Sequence, residues 1–591
     1  MSTLARNDKL VRRKFYQYLL PSVLMVFAMQ FGSLLDGILI GNFINNTALS
    51  AVSLVMPIMY FVQLPGFAFG IGGSILVANL LGKRDILGAK KVFSLSTIIG
   101  MGLSFVFLFL SFFVSKPIAS GFSTDPVIIE YGYQFVFITM ATDPIIVFAL
   151  LIGSFMAVDN NPKTSSLVYI IGNIAKVALE ILFIKVFDWG MWGAAASTPA
   201  GYLIGSFIVI AYIKSKKRLL SFTFKIKGTP VKELFKASAS NALNLALTAI
   251  EMLVINIVVA KTITAELDII IFGLVTNMVF IFDLFAGGVQ NVIPTLCGIF
   301  YGEKDYYSLK SITRRIYIIN IAVTAFFTAF ILAFPNVFAI VFGYNDPANS
   351  SVVDYMIRIF VLTFIPYEIN KFATNYYTSI DKPITSVMNI IFKDVIIIFP
   401  VAIPLLFAMG LEGYVISQVV TQTAALIFTY AFILIYEKIK KQKLSIFMID
   451  KVDYKSYDVS LLNEIGNAAE ISKGITEFAL ENNIPNKESQ LIGLVAEEAV
   501  YNTITYGYKK KTSHNYIDVN LKINEDNLIL TIRDDGLPFD PTHYEFDEDE
   551  EYSTSGITIM KKLTDTMTYD RILNLNNTVF QLKVKGAENG N

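Results

Sequence analysis

LVMPIMYFVQLPGFAFG at residues 54–70, closed by LLGKRD at 80–85, returns later in the chain as LVTNMVFIFDLFAGGVQ at 274–290 and FYGEKD at 300–305. The two stretches align without a gap at a constant offset of 220 residues. The same offset pairs Gly190 and Gly193, in GMWG, with Gly410 and Gly413, in GLEG. DNNPKTS at 159–165 is echoed, shifted by one residue, by DKPITS at 381–386. A duplicated, glycine-bearing apolar unit is therefore the plan of most of the chain.

Around each copy lie apolar segments long enough to cross a bilayer, which takes roughly 20 helical residues. They fall near 15–44, 50–78, 93–114, 131–157, 165–187 and 191–213, and again near 237–260, 268–297, 314–334, 352–379, 385–408 and 412–436. Between the sets runs a basic connector, KSKKRLLSFTFKIKGTPVKELFK, at 214–236. The reading is an α-helical polytopic membrane protein of about twelve crossings in two six-helix lobes. An even number per lobe makes the lobes parallel repeats about an axis along the membrane normal, an architecture used by transporters. The expected divisions are 1–214, 215–236, 237–445 and 446–591.

Composition agrees. Of 591 residues only 16% are charged, against about 25% in soluble domains, and mean hydropathy is +0.56. A formal net charge of +0 argues against a nucleic-acid binder. The one cysteine, Cys297, lies in an apolar run and reads as a small buried hydrophobe. The only histidines, His514 and His543, lie in polar sequence, so a histidine metal site is not expected. The N-terminus lacks the pattern of a cleaved signal. Lys and Arg crowd one set of loops: Arg12, Arg13 and Lys14, then Lys83, Arg84, Lys90 and Lys91, the connector, and Lys304, Lys310, Arg314 and Arg315. The opposite loops, FINNTALS and VFDWGMWG, carry almost none. Both termini are thus expected in the cytoplasm, and the protein in a bacterial-type plasma membrane.

Two six-helix lobes, a glycine-rich second helix ending in LLGKRD, Asp36 in the first helix and GAAAST at 193–198 resemble the MATE (multidrug and toxic compound extrusion) family over about residues 10–440. The resemblance implies antiport, with H⁺ or Na⁺ entering as a small organic, often cationic, molecule leaves by alternating access. The same fold serves lipid and polysaccharide flippases, so it fixes architecture better than substrate.

A charge at the bilayer centre costs about 2.5–3.5 kcal/mol on insertion scales, so each needs a partner or a function. Asp36 and Glu180 sit about eight and about seven residues from the outer ends of their helices, hence at similar depth, and form a candidate cation-binding or protonatable pair. Lys176 lies one turn before Glu180, on the same face. An ammonium there offers no oxygen to Na⁺, which favours proton coupling or an ion pair that breaks and reforms. Thr198 matches a family position whose hydroxyl lines this site. The repeat mate of Asp36 is Asn256, so the C-lobe lacks that carboxylate. Its own acids are Glu251, similar to a seventh-helix acid of some family branches, and Asp283. Glu368 and Lys371, three apart, are expected to pair with each other.

From about Phe447 the sequence becomes polar and patterned. Residues 457–483 and 487–507 read as helices, YIDVNLKI and NLILTIRD as strands around NEDN, and TVFQLKVK as a closing strand: an α+β domain of roughly 145 residues. EEAVYN at 497–502 places Glu498 and Asn502 a turn apart. DDGLPFDP at 534–541 is an acidic turn in which Gly536 permits close approach. STSGITIMKKL at 553–563 is a small-residue loop entering a helix, a place for phosphate. Their order and spacing are similar to the GHKL ATP-binding fold, and within it to anti-sigma-factor serine kinases. The resemblance implies ATP with Mg²⁺ held by Asn502, adenine bound by Asp534 beside Gly536, phosphate near Gly556, and Glu498 as general base. Thr554 stands where that pattern has glycine, and Tyr506 where it often has histidine. The acidic run EFDEDEEYS at 545–553 falls at the fold's lid and reads as a solvated loop. The absence of a GxxxxGK[ST] loop disfavours an ATP-driven pump. Three functions follow: an ion-coupled exporter embedded in lipid with a nucleotide-binding regulator; a membrane-anchored serine kinase, with a protein substrate or antagonist, using the helices as sensor; or a lipid or polysaccharide flippase.

Overall fold

The computed structural model describes residues 5–216, 218–225, 227–263, 265–341, 348–441, 446–449, 454–509, 515–524, 527–544 and 556–584. The chain forms two compact units, Met1–Tyr16 with Asp450–Asn591, and Gln17–Ile449. Residues 5–16 therefore group with the C-terminal domain and not with the bundle.

The regular structure described in the larger unit is all helical. Among the described residues nine helical runs are long and apolar enough to cross a bilayer, or ten if the pair Pro126–Ala141 and Asp143–Val158, bent by 52°, is one span. One run, Pro383–Lys440, holds two of the twelve segments read from sequence, parted at Gly410, whose φ of 59° no side chain tolerates well. The segment expected at 352–379 is instead two helices, Ser350–Val361 and Phe364–Ser379. The second of these carries Glu368, Asn370, Lys371 and Asn375, too polar a run to register as an apolar span.

The duplication is written in the backbone. Arg84 and Lys304, repeat mates, both have positive φ (64° and 56°), as do Gly190 and Gly410 (53° and 59°). Asp85 and Asp305 then cap the next helices, accepting from the amides of Gly88 at 2.7 Å and Ser308 at 3.0 Å. Gly82 and Gly302 explain the glycine of LLG and FYG. A Cβ on Gly82 would lie 2.2 Å from the Ile299 carbonyl oxygen and 2.9 Å from Cα of Gly302. A Cβ on Gly302 would lie 2.2 Å from the Asn79 carbonyl oxygen. The two lobes thus cross at these glycines, each presenting the same surface to the other. Within the C-lobe, Ile271, Met278, Phe282, Phe360, Phe364 and Val415 build an apolar core of their own. Cys297 is fully buried, as its sequence context implies.

The smaller unit is an antiparallel five-stranded sheet: β1 (Lys455–Leu462), β2 (Tyr516–Asn524), β3 (Asn527–Asp534), β4 (Thr566–Ile572) and β5 (Leu575–Lys583), in the order β1-β2-β3-β5-β4. The expected helix at 457–483 starts as a strand, and the helix proper is Gly466–Glu481. Tyr457, Val459 and Leu461 alternate toward the core with period two, a spacing short enough to be mistaken for a helical face. The second helix, Asn486–Tyr506, lies where it was read, whereas β4 adds a strand the sequence did not announce. Val459, Ile517, Val519, Leu530 and Phe580 turn one face of the sheet toward the two helices.

The other face is polar and covered at one end. Ser460, Asp518, Arg533, Asn577 and Asp570 stand side by side in one register row, and all are buried. Residues 5–16 lie against that end of the sheet. The amide of Asn7 donates to Ser460 Oγ at 3.1 Å, and Arg6 pairs with Asp518 at 3.2 Å, both side chains almost fully enclosed. Lys9 reaches the Tyr516 hydroxyl at 2.5 Å.

Candidate functional site

The sequence places its candidates in two regions, one in each unit. In the helical unit, Lys176 Nζ donates to Asp36 Oδ2 at 2.5 Å, joining the first helix (Lys9–Phe43) to the helix Pro162–Ile181. Glu180, wholly inaccessible, lies against the same Asp36 carboxyl and close to the ammonium. Neither Glu180 oxygen meets a donor among the described residues, and Asp36 Oδ1 has none either. Two carboxyls and one ammonium are thus gathered together, Glu180 and Lys176 buried and Asp36 partly exposed, with the lysine on Asp36.

Local sequence makes the enclosure. A Cβ on Gly201 would lie 2.4 Å from the Gly172 carbonyl oxygen and 2.7 Å from Cβ of Lys176, so only glycine lets the helix Gly190–Lys214 approach there. Tyr202, next to that glycine, interacts with Asn173 and faces both Lys176 and Asp36. Asn173 and Tyr202 were not singled out from sequence. Their signal was positional: Asn173 precedes Lys176 by three residues on one face, and Tyr202 follows the GAAAST stretch by one turn. Thr198, half-buried on that helix, makes no hydrogen bond to Asp36, Lys176 or Glu180.

In the C-lobe, Lys371 pairs with Asp283 at 2.5 Å and not with Glu368. Glu368 is enclosed and accepts from Asn320 at 3.1 Å and from Gln290. Residues three apart on one helix share a face, but neighbouring helices supply other partners, Asp283 for Lys371 and Gln290 and Asn320 for Glu368. Glu251 meets Asp394 and Gln418, and Asp394 pairs with Lys393 at 2.8 Å. Lys393 and Asp394 were missed because FKDV sits inside a continuous apolar run, in a π-helical stretch, Phe392–Ile397.

In the smaller unit the structure gathers the nucleotide candidates on one edge. Glu498 and Asn502 lie on the helix Asn486–Tyr506, and Gly556 opens the helix Gly556–Leu563 against them. A Cβ at Gly556 would sit 2.1 Å from Glu498 Oε2 and 3.1 Å from Asn502 Nδ2. Asn502 Nδ2 is enclosed and meets no acceptor among the described residues. Asp534 ends β3; its Oδ1 accepts from the Gly536 amide at 2.7 Å and from Asn576 Nδ2 at 2.8 Å. Burial pushes its carboxyl up from 3.8 to about 6. Gly536 has no room for a side chain, since a Cβ would lie 2.3 Å from the Gly507 carbonyl oxygen. The Leu537 amide donates to that same oxygen at 2.8 Å, tying the acidic turn to the end of the helix bearing Asn502. Asn576 and Arg571, which donates to the Gly536 carbonyl at 3.3 Å, are further members that sequence did not mark. The acidic run at 545–553 and Thr554 lie outside the described residues.

These residues fit a nucleotide. A glycine that admits no Cβ beside an unpartnered amide donor, and a buried acid whose Oδ2 is not engaged, leave polar atoms for phosphate and a ring amine. Among the described residues no group of three His, Cys, Asp or Glu could hold a metal by itself.

Comparison with known proteins agrees with both regions. The MatE family model matches residues 21–182 and 241–403, once in each half, and that of the histidine kinase-like ATPase domain matches residues 462–582. Similar proteins include the multidrug export protein MepA of Staphylococcus saprophyticus, 23% identical over 421 residues, covering 68% of this chain and 91% of that one. The MepA of Staphylococcus haemolyticus is 26% identical over 311 residues, 50% of this chain and 67% of that one. A MOP superfamily transporter from Pyrococcus furiosus superposes with a TM-score of 0.67 at 17% identity, covering 75% of this chain and 100% of that one. The MATE multidrug transporter DinF-BH, solved in complex with R6G, gives 0.66 at 20% identity, covering 76% and 100%. The fold is thus that of two-lobed, multi-pass MATE transporters, extended by a histidine kinase-like ATPase domain. The chain belongs to the MatE family.

Proposed function

We propose that this protein is an ion-coupled exporter of small organic molecules, cationic ones included, with a cytoplasmic nucleotide-binding domain that regulates it. The observation that carries the reading is the Asp36–Lys176–Glu180 cluster, with Lys176 and Glu180 buried, inside a MatE-family lobe. A buried ion pair contributes little to stability after desolvation, so a cluster of two acids and one base is poorly accounted for by packing. The substrate class is supported by the names of the MepA relatives, which are multidrug export proteins.

Proton coupling suits the cluster better than Na⁺. The ammonium on Asp36 fills the space a metal ion would take and brings no oxygen ligand. A proton on Asp36 releases Lys176 to Glu180, and its loss draws the lysine back, so the carboxyl that holds the lysine biases the two access states. Opening one way must part the lobes where Gly82 and Gly302 cross, and the basic turns beside them support assigning that end to the cytoplasm. Both chain ends fall in one compact unit, which supports a shared side for the two termini.

The test is dye efflux in inverted vesicles. Asp36→Asn, which keeps the shape and removes the charge, is expected to abolish ΔpH-driven transport while the protein remains inserted and folded. Wild-type activity in that variant removes Asp36 from the mechanism.

A further inference from the structure

Residues 5–16 cross the sheet in the order of its strands. Asn7 meets β1 at Ser460, and Arg6 and Lys9 meet β2 at Asp518 and Tyr516. Arg13 pairs with Asp535, directly after β3, at 2.5 Å, and Lys14 Nζ donates to the Asn574 carbonyl, in the hairpin between β4 and β5, at 3.1 Å. The last two contacts flank the residue assigned to adenine. Asp535 is the chain neighbour of Asp534, and the hairpin held by Lys14 carries Asn576, whose Nδ2 donates to Asp534 Oδ1 at 2.8 Å. Tyr508, past the end of the helix bearing Asn502, also points its hydroxyl at Asp535, at 3.4 Å. The segment therefore holds both the residue after Asp534 and the hairpin that hydrogen-bonds to Asp534.

The same segment is the beginning of a membrane helix. Lys9–Phe43 is one helix, carrying Arg13 in its second turn and Asp36 two turns from its end. Covering buried charges is a strong reason for the segment to stay in place: Asp518 and Arg533 are 2% and 5% exposed, and stripping the segment away would leave Asp518 without Arg6.

We propose that this N-terminal arm couples nucleotide occupancy at the Asp534 turn to the first membrane helix, nucleotide favouring the docked arm. The inference rests on the nucleotide-binding reading above and adds its route. Arg13 and Lys14 are positioning residues: they hold the turn in the form that presents Asp534, so the docked arm and the nucleotide stabilise each other. Linkage makes the effect reciprocal. A nucleotide that binds the docked form more tightly must also hold the start of the helix that carries Asp36.

The experiment uses the full chain in nanodiscs with Mg²⁺ and a non-hydrolysable ATP analogue. Hydrogen exchange by mass spectrometry should slow at residues 5–16 and in β1 on adding nucleotide to wild type, a readout that needs no variant. Arg13→Gln should weaken nucleotide binding by roughly 5- to 150-fold, the usual span of such coupling. The exchanged pair Arg13→Asp with Asp535→Arg should recover most of the loss, which a merely unfolded arm would not do. Any response of dye efflux to nucleotide should vanish in Arg13→Gln. Wild type that binds nucleotide with no change in arm exchange, together with undiminished affinity in Arg13→Gln, overturns the coupling and leaves nucleotide binding standing. No binding to wild type overturns both.

Discussion

Acidification should weaken adenine binding through Asp534 alone. The carboxyl is 6% exposed, and burial raises it from 3.8 to about 6, opposed by hydrogen bonds from Asn576 and the Gly536 amide. Only the ionised form accepts from a ring amine at Oδ2. Affinity should therefore be level above pH 7 and fall below about 6, reaching roughly a tenfold loss at pH 5, since one pH unit is 1.36 kcal/mol. Adenosine is the ligand to titrate, because the phosphates of ATP protonate near pH 6 themselves. Calorimetry on the full chain from pH 8 to pH 5 gives the curve. The sign for stability runs the other way. A folded-state value above the unfolded 3.8 means the folded domain binds the proton more tightly, so it gains stability as pH falls from about 6 toward 3.8. The shift of about two units corresponds to about 3 kcal/mol lost at neutral pH. Asp534→Asn, which can keep both hydrogen bonds at Oδ1, should accordingly raise the melting temperature of the nucleotide domain while removing adenosine binding. Adenosine affinity that stays flat from pH 8 to 5 refutes the assignment of Asp534 to adenine.

Lys176→Asn should let Na⁺ drive efflux, since it replaces a fixed cation by an oxygen ligand beside Asp36 and Glu180; dye efflux in vesicles that still follows ΔpH and ignores Na⁺ removes Lys176 from ion choice. Asn502→Asp should weaken Mg²⁺·ATP binding by adding a charge beside the phosphates, while Glu498→Gln should leave binding near wild type and stop any phosphoryl transfer, because a general base acts on the attacking hydroxyl. Calorimetry and labelled-phosphate transfer on the same preparations separate the two. Gly201→Ala forces a methyl to within 2.4 Å of the Gly172 carbonyl oxygen and should cost about 1–3 kcal/mol, read as a lower melting temperature of the bundle; an unchanged melt would mean the two helices part freely there.

Much of this was legible because repetition and period are properties of sequence. The 220-residue offset gave the lobes, and the structure returns it as paired positive φ angles at Arg84 and Lys304 and paired caps at Asp85 and Asp305. Spacing of four on a helix put Glu498 beside Asn502, and Gly556 closes against both. What stayed hidden depends on neighbours from other elements. Lys371 could be placed on the face of Glu368 but not assigned to Asp283, which comes from another helix. Lys176 could be set one turn from Glu180, yet its hydrogen bond goes to Asp36 across the bundle. The strand at 455–462 failed for a different reason: three apolar residues at period two are too few to exclude a helix, and the sheet, not local preference, decides.

The N-terminus shows how a reading from charge alone can be incomplete. Arg12, Arg13 and Lys14 were read by the rule that basic residues flank the cytoplasmic ends of membrane helices, and that rule asks nothing of their partners. Arg13 and Lys14 have specific ones, Asp535 and the Asn574 carbonyl, at the turn that also presents Asp534. A flank that only retained charge in the cytoplasm would accept either basic residue at each place. A docked arm does not: lysine at position 13 would lose the planar fork that meets a carboxylate, although topology would be unaltered. Arg13→Lys is thus the substitution on which the two roles disagree, keeping insertion and orientation while loosening the arm from Asp535.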